Sequence, residues 1–471
     1  MIFHSLEYLL FLPVVLAIYW LLDRKKQVIF LLVMSYFFYG YIHPWFLFLI
    51  AASTFVDYFC GLAMDRHPDH KQRVLLVSIA FNLGLLGYFK YFGFFIDNVT
   101  ELLLLLGLPG FTNNLDIYLP VGISFYTFQT MSYTIDIYRG QLKPRRNFLD
   151  FALFVSFFPQ LVAGPIERAI HFLPQIEKER CLSFERVQSA LFLLIWGFFK
   201  KLVIADNVAF IVNKIYSLEE TSFALVAVGA FAFAIQVYAD FSAYTDIARG
   251  SARLLGFDLS QNFNHPYLSA SPTEFWKRWH ISLSSWIHDY VFLPLALSRR
   301  LRAATGGLVI SLVITFFLNG LWHGAGWNFI LFGLYHCGLI LVYGLAKSIT
   351  PEPIRESLWL RPFQIMLMFA LTLVGYVLFR ETDLSYAWRN LTLSPFENSP
   401  LQQQAALFLF GQTLFYSLPL WGHTLFAYLR GPIFANRQWA LLTFQTVLSL
   451  LMFIGILVLR GDSVDFIYFQ F

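Results

Sequence analysis

Long apolar runs separated by short polar or basic stretches dominate the chain. A helix that crosses the hydrocarbon core of a bilayer needs about 20 mostly apolar residues. Runs of this kind predict spans near 2–22, 27–41, 45–63, 74–95, 119–137, 188–216, 222–248, 304–322, 326–346, 362–379, 404–429 and 438–459, about twelve in all. The run 27–41 is short, and the next begins just past His43-Pro44. The run 188–216 carries Lys200 and Lys201 in mid-course, which predicts a broken or tilted element. The first run has no basic flank and no small-residue cleavage site, so it reads as a retained span.

Two stretches fit a different pattern. Residues 148–163, FLDFALFVSFFPQLVA, are too few to span and are interrupted by Pro159. They predict a re-entrant or half-buried helix, which membranes tolerate only where protein or water covers the freed backbone. Residues 271–294 open with Ser271, Pro272 and Glu274 in capping-box spacing, predicting a helix from there to about Phe292. Trp276, Trp279, Leu283, Trp286 or Ile287, and Tyr290 recur at steps of three and four on one face. Lys277, His280, Ser284 and His288 share another. The expectation is an amphipathic helix in the cytoplasmic interface. A plain surface anchor would have the same pattern, but would not require the two histidines and the serines.

Composition narrows the class. Of 471 residues, 58% are hydrophobic and only 13% charged, about half the charge of a soluble domain. The mean hydropathy is +0.61. The fold class expected is an all-α polytopic membrane protein, not a soluble enzyme or a disordered chain. The net charge of +4 is spread out and gives no case for nucleic acid. Cys60, Cys181 and Cys337 are far apart, so neither a disulfide framework nor a metal site is expected. No repeat is evident, and one membrane domain over 1–471 is the simplest partition. Basic residues cluster around 24–26, 66–73, 139–146, 277–278, 299–302 and 347–361, whereas 96–118 has no Lys or Arg. Basic loops mark the cytoplasmic side. The pattern alternates consistently if the chain starts on the outer side.

Candidate chemistry lies in 315–328, TFFLNGLWHGAGWN. His323 sits among Leu, Trp and Gly in an apolar context, where an ionisable group is costly and a functional candidate. A neutral imidazole there could receive a hydroxyl proton. Asn319 lies one turn earlier on the same face. Gly320 and Gly324 also fit a closely packed helix pair in which His323 merely hydrogen-bonds a neighbour. Elsewhere, Asp246 and Arg249 are spaced to pair on one helix face, either as an ion pair near a helix end or as the wall of a polar tunnel. Lys90 is expected to snorkel, and His336 to be packed.

The segments FWKRWHISLSSWIHDYVFLPL (275–295) and NGLWHGAGWNFILFGLYH (319–336) resemble the membrane-bound O-acyltransferase family, in its bacterial alginate O-acetylation branch. PVGISFYTFQTMSYTIDIYRG (120–140), FPQLVAGPIER (158–168), YADFSAYTDIARG (238–250) and DFIYFQF (465–471) support the resemblance, whose most family-like core is about 120–346. It implies membrane helices around a tunnel, with His323 as the catalytic histidine and His280 as a second, donor-side histidine. It also implies an enzyme of the bacterial inner membrane with no tightly bound cofactor. Such an enzyme would pass acetyl groups from cytosolic acetyl-CoA toward an exported cell-surface polysaccharide, through a periplasmic partner acetyltransferase. Arg299, Arg300, Arg302 and Lys277 lie on the donor side, where they could meet phosphates or simply obey the topology rule. The LWHG segment holds no Cys or Ser nucleophile, which favours direct transfer. D-alanyl transfer from a carrier protein to teichoic acid shares the same core. A transporter would be expected to show paired broken helices, and none is seen; a non-catalytic scaffold for polysaccharide export is a further alternative.

Overall fold

A computed structural model describes residues 1–111, 117–352, 357–434 and 438–469. Regular structure among the described residues is helical throughout. Among the described residues, seven helices are long and apolar enough to cross a membrane: Phe46–Arg66, Pro68–Leu105, Phe184–Tyr216, Phe223–Leu254, Trp327–Ile349, Arg361–Arg380 and Trp439–Leu459. Leu6–Tyr19 and Gly307–His323 are shorter apolar helices. Trp439–Leu459 has almost no buried residues yet is strongly apolar. Such a surface is stable only against lipid, so the chain is a multi-pass membrane protein.

The chain forms two compact units, 1–190 with 248–260, and 191–247 with 261–471. In the first, the stretch expected to be re-entrant folds as two short helices, Phe148–Ser156 and Phe158–Leu161. The break falls at Phe157 because Pro159 sits in the first turn of the second helix, where its missing N–H costs nothing. Every residue from Asp150 to Glu167 is buried. The freed backbone groups find side-chain partners: Gln129 and Gln160 both donate to the Phe154 carbonyl, and Ser35 Oγ accepts from the Phe158 N–H. Gly122, at φ 78°, starts the helix Ile123–Tyr138. A Cβ there would lie 2.4 Å from the Leu161 carbonyl oxygen, so only glycine fits. A polar cluster unseen in the sequence joins Phe46–Arg66 to the next helix: Asp57 accepts from Ser78 and Asn82, and Asn82 from Ser53.

The predicted span 74–95 extends on as a helix to Leu105 through a π-turn at Gly87–Tyr91. The segment 96–118, expected outside, is therefore helical as far as Leu105, and its residues 112–116 lie outside the described residues. In the second unit, the run 188–216 is not broken. It continues from Phe184 to Tyr216 through a π-turn at Lys200–Ala205. That widened turn lets two consecutive lysines both point inward. Lys200 reaches Asp246 at 2.7 Å and Ser242 at 2.8 Å, and Lys201 lies 2.9 Å from Asp206 and 3.1 Å from Asp240. Lys200 is thus a partner of Asp246 that the helix-face pairing with Arg249 overlooked.

Gly307–His323 and Trp327–Ile349 form a tight helical hairpin. A Cβ on Gly320 would lie 2.2 Å from the Phe329 carbonyl oxygen, and one on Gly333 would lie 2.1 Å from that of Phe316. Small residues here let two backbones touch. The packing role expected for Gly320 is met, in the same hairpin that carries His323.

Candidate active site

His323 is the last residue of its helix and is buried. The helix ends at Gly324, where a Cβ would run into the Phe329 ring at 2.1 Å. Rings of Trp322, Phe332 and Phe379 stand edge-on to the imidazole at 5.1, 5.8 and 5.3 Å. A hydroxyl enters this aromatic enclosure: Tyr468 Oη, 3.4 Å from His323 Nδ1.

The segment 271–294 begins as the sequence indicates. Ser271 Oγ accepts the Glu274 N–H, and Glu274 accepts from the Ala270 N–H. It is not one continuous helix, however. Pro272–Arg278 stops, and Ile281–Ile287 restarts after His280, which takes a left-handed conformation at φ 43° and ψ 56°. A π-turn, His288–Phe292, follows. The reversal corrects the expected placement of His280 on a polar face with Lys277 and His288. Those two are exposed, and His280 is fully buried. Its ring stands edge-on to Phe241 at 4.7 Å and to Trp322 at 5.6 Å. Both histidines singled out in the sequence therefore flank the Trp322 indole. His336 is packed, as expected, parallel to Phe275 and edge-on to Trp276.

A cavity of about 520 Å³ opens between this segment and the helix Gly307–His323. That is the size of a pocket for a drug-sized ligand. Its lining is mostly apolar, with Lys277, Ser284 and His288 on one side and Thr315 and Asn319 on the other. Asn319 lies one helical turn before His323.

In the sequence Tyr468 belongs only to the C-terminal DFIYFQF motif, and its approach to His323 is a tertiary fact. The segment that carries it is tied down at several points. Gly461 N–H donates to the Leu202 carbonyl, Lys201 Nζ to the Val464 carbonyl at 2.7 Å, and Ile467 N–H to Asp240 at 2.8 Å. Phe466 stacks on Tyr244, with ring centres 4.0 Å apart. One signal could have pointed here: Lys200, Lys201, Asp206, Asp240 and Asp246 all lie within apolar runs, and buried charges need partners.

The model of the membrane-bound O-acyltransferase family matches residues 31–379, most of the chain and both histidine segments. The chain belongs to the membrane-bound O-acyltransferase family. It is accordingly an O-acyltransferase. Its relatives include a protein named probable alginate O-acetylase from Azotobacter vinelandii, 38% identical over 90% of this chain and 87% of that one. A peptidoglycan O-acetyltransferase of Helicobacter pylori is 34% identical over 69% and 67% of the two chains. A teichoic acid D-alanyltransferase of Bacillus subtilis is 27% identical over 55% and 68%.

Proposed function

We propose that this O-acyltransferase takes acetyl groups from cytosolic acetyl-CoA and passes them across the bacterial inner membrane for O-acetylation of an exported polysaccharide, with a periplasmic acetyltransferase as partner. The observation that carries the chemistry is His323, a buried imidazole enclosed by aromatic rings with a hydroxyl 3.4 Å from Nδ1. A neutral imidazole can take a proton from an attacking hydroxyl, typically accelerating the step by about 10²–10⁴-fold. The cavity beside the 271–294 segment supports entry of a thioester arm, since it is mostly apolar and reaches Asn319. Lys277 at its rim would meet the donor's phosphates. Acetyl rather than D-alanyl transfer is favoured by the relatives, because those named for O-acetylation match more of this chain at higher identity.

Two routes use the same base. In direct transfer, His323 deprotonates the acceptor hydroxyl, which attacks the thioester carbonyl and expels the thiol, protonated in turn by the imidazolium. The contact with Tyr468 supports a second route, since a hydroxyl beside a general base is the signature of an activated nucleophile. There His323 takes the Tyr468 proton as the phenol oxygen attacks the thioester and gives it to the departing thiol; it then takes the proton of the acceptor hydroxyl as that attacks the aryl ester, and returns it to the Tyr468 oxygen. Tyr468→Phe separates them: the relay loses transfer altogether, whereas direct transfer, in which the Tyr468 hydroxyl only orients the imidazole, keeps a reduced rate.

The donor is tested with inverted membrane vesicles given radiolabelled acetyl-CoA or a D-alanyl carrier protein. Label incorporation from acetyl-CoA alone is expected. Incorporation only from the D-alanyl carrier would replace acetyl with D-alanine and leave the acyltransferase reading intact.

A further inference from the structure

We propose that Lys201, Asp206 and Asp240 form a buried clamp whose task is to position the 461–468 segment, and through it Tyr468, against His323. The proposal rests on His323 being the base, and holds for either route above.

The three charges are almost fully buried. Taking ions out of water is expensive, and apolar residues of similar volume commonly hold helices together at least as well. Stability alone is therefore a poor explanation for the cluster. Apolar residues could not bind irregular backbone. Residues 460–466 have no regular secondary structure, and where the chain turns inward, at half-buried Val464 and buried Phe466 and Ile467, its amide groups need partners. The cluster supplies two. Lys201 Nζ donates to the Val464 carbonyl while held between Asp206 and Asp240. Asp240 Oδ2 accepts the Ile467 N–H through the oxygen that does not face Lys201. One side chain grips the segment four residues before Tyr468 and the other grips it one residue before. Between them Phe466 lies on Tyr244. Tyr468 emerges from this anchored stretch against Phe241 at 4.6 Å, with its hydroxyl at His323. The π-turn at Lys200–Ala205 belongs to the device, because it turns Lys201 inward beside Lys200. These are positioning residues; none touches the imidazole.

Asp240→Ala tests this with the least disturbance of charge, since it leaves one ammonium opposite one carboxylate. A misplacement of about 1 Å can cost about a hundredfold in rate. The maximal rate of acetyl transfer from acetyl-CoA is expected to fall about tenfold to a hundredfold, with the acetyl-CoA KM within about twofold because none of the clamp residues lines the donor cavity. Ile467→Pro removes the N–H that Asp240 accepts and leaves the ion cluster intact. It is expected to give the same split, and it serves if Asp240→Ala does not accumulate. A nitroxide on a cysteine at Ser463, in a background with Cys60, Cys181 and Cys337 replaced by Ser, reads the segment without reference to activity. Its spectrum is expected to sharpen in both variants. An immobile label in both, or a wild-type maximal rate in both, overturns the clamp. If instead His323→Ala retains full activity while the label still loosens, the clamp stands and the role of His323 falls.

Discussion

His280 holds a left-handed backbone conformation that any residue with a Cβ adopts at a cost, of order 1–3 kcal/mol. The strain turns its ring into the aromatic cluster shared with His323. His280→Gly relieves the strain and His280→Ala does not, while both delete the imidazole. The glycine variant is expected to melt at the higher temperature, by about 1 kcal/mol of stability, and both to lose acyl transfer. Full transfer by either would make His280 a packing residue. Glu167 offers a separate test at this scale. Burial pushes its carboxyl from the ordinary 4.5 up to about 7, against the lowering effects of Ser260 and Arg249. The folded protein thus holds this proton more tightly than the unfolded chain. Stability from this group is complete below pH about 4.5 and lost as pH rises through about 7. Melting in detergent is expected to be lower at pH 8 than at pH 5.5, with a smaller difference in Glu167→Gln. His323 was legible from its apolar context. The partners of Lys201 and the approach of Tyr468 were not, because they join residues far apart in the chain.

The hairpin Gly307–His323 and Trp327–Ile349 sets the position of the base through glycine contacts. Gly320→Ala pushes a methyl group to 2.2 Å from the Phe329 carbonyl and is expected to reduce membrane yield severely. Gly338→Ala, in the same hairpin but with open space around it, is expected to leave yield at or above wild type. Quantified membrane protein checks both, and equal yields would show that close contact does not hold the hairpin. Apolar runs, the capping box at Ser271 and the proline in 148–163 made these elements readable beforehand. The break at Trp279-His280 was hidden, because an aromatic repeat at steps of three and four continues across it. The π-turns were hidden for a similar reason: one extra residue per turn leaves the apolar character of a run unchanged.

On the scale of the whole molecule, charge asymmetry sets the sides. The basic stretch 139–146 is expected in the cytoplasm and the lysine- and arginine-free 96–118 outside. Lys143 and Leu108 are both exposed, so cysteines placed there report orientation to a membrane-impermeant thiol reagent. Labelling from outside is expected at position 108 and not at 143; the reverse would invert the sides on which donor and acceptor arrive. Orientation, base and acceptor meet in one measurement: the acetyl content of the exported polysaccharide in cells carrying His323→Ala, read beside quantified membrane protein. Normal membrane levels with acetylation abolished are expected, and the same for His323→Gln, whose amide cannot take the proton. A well-accumulated His323→Ala that acetylates near the wild-type level would contradict His323 as the base.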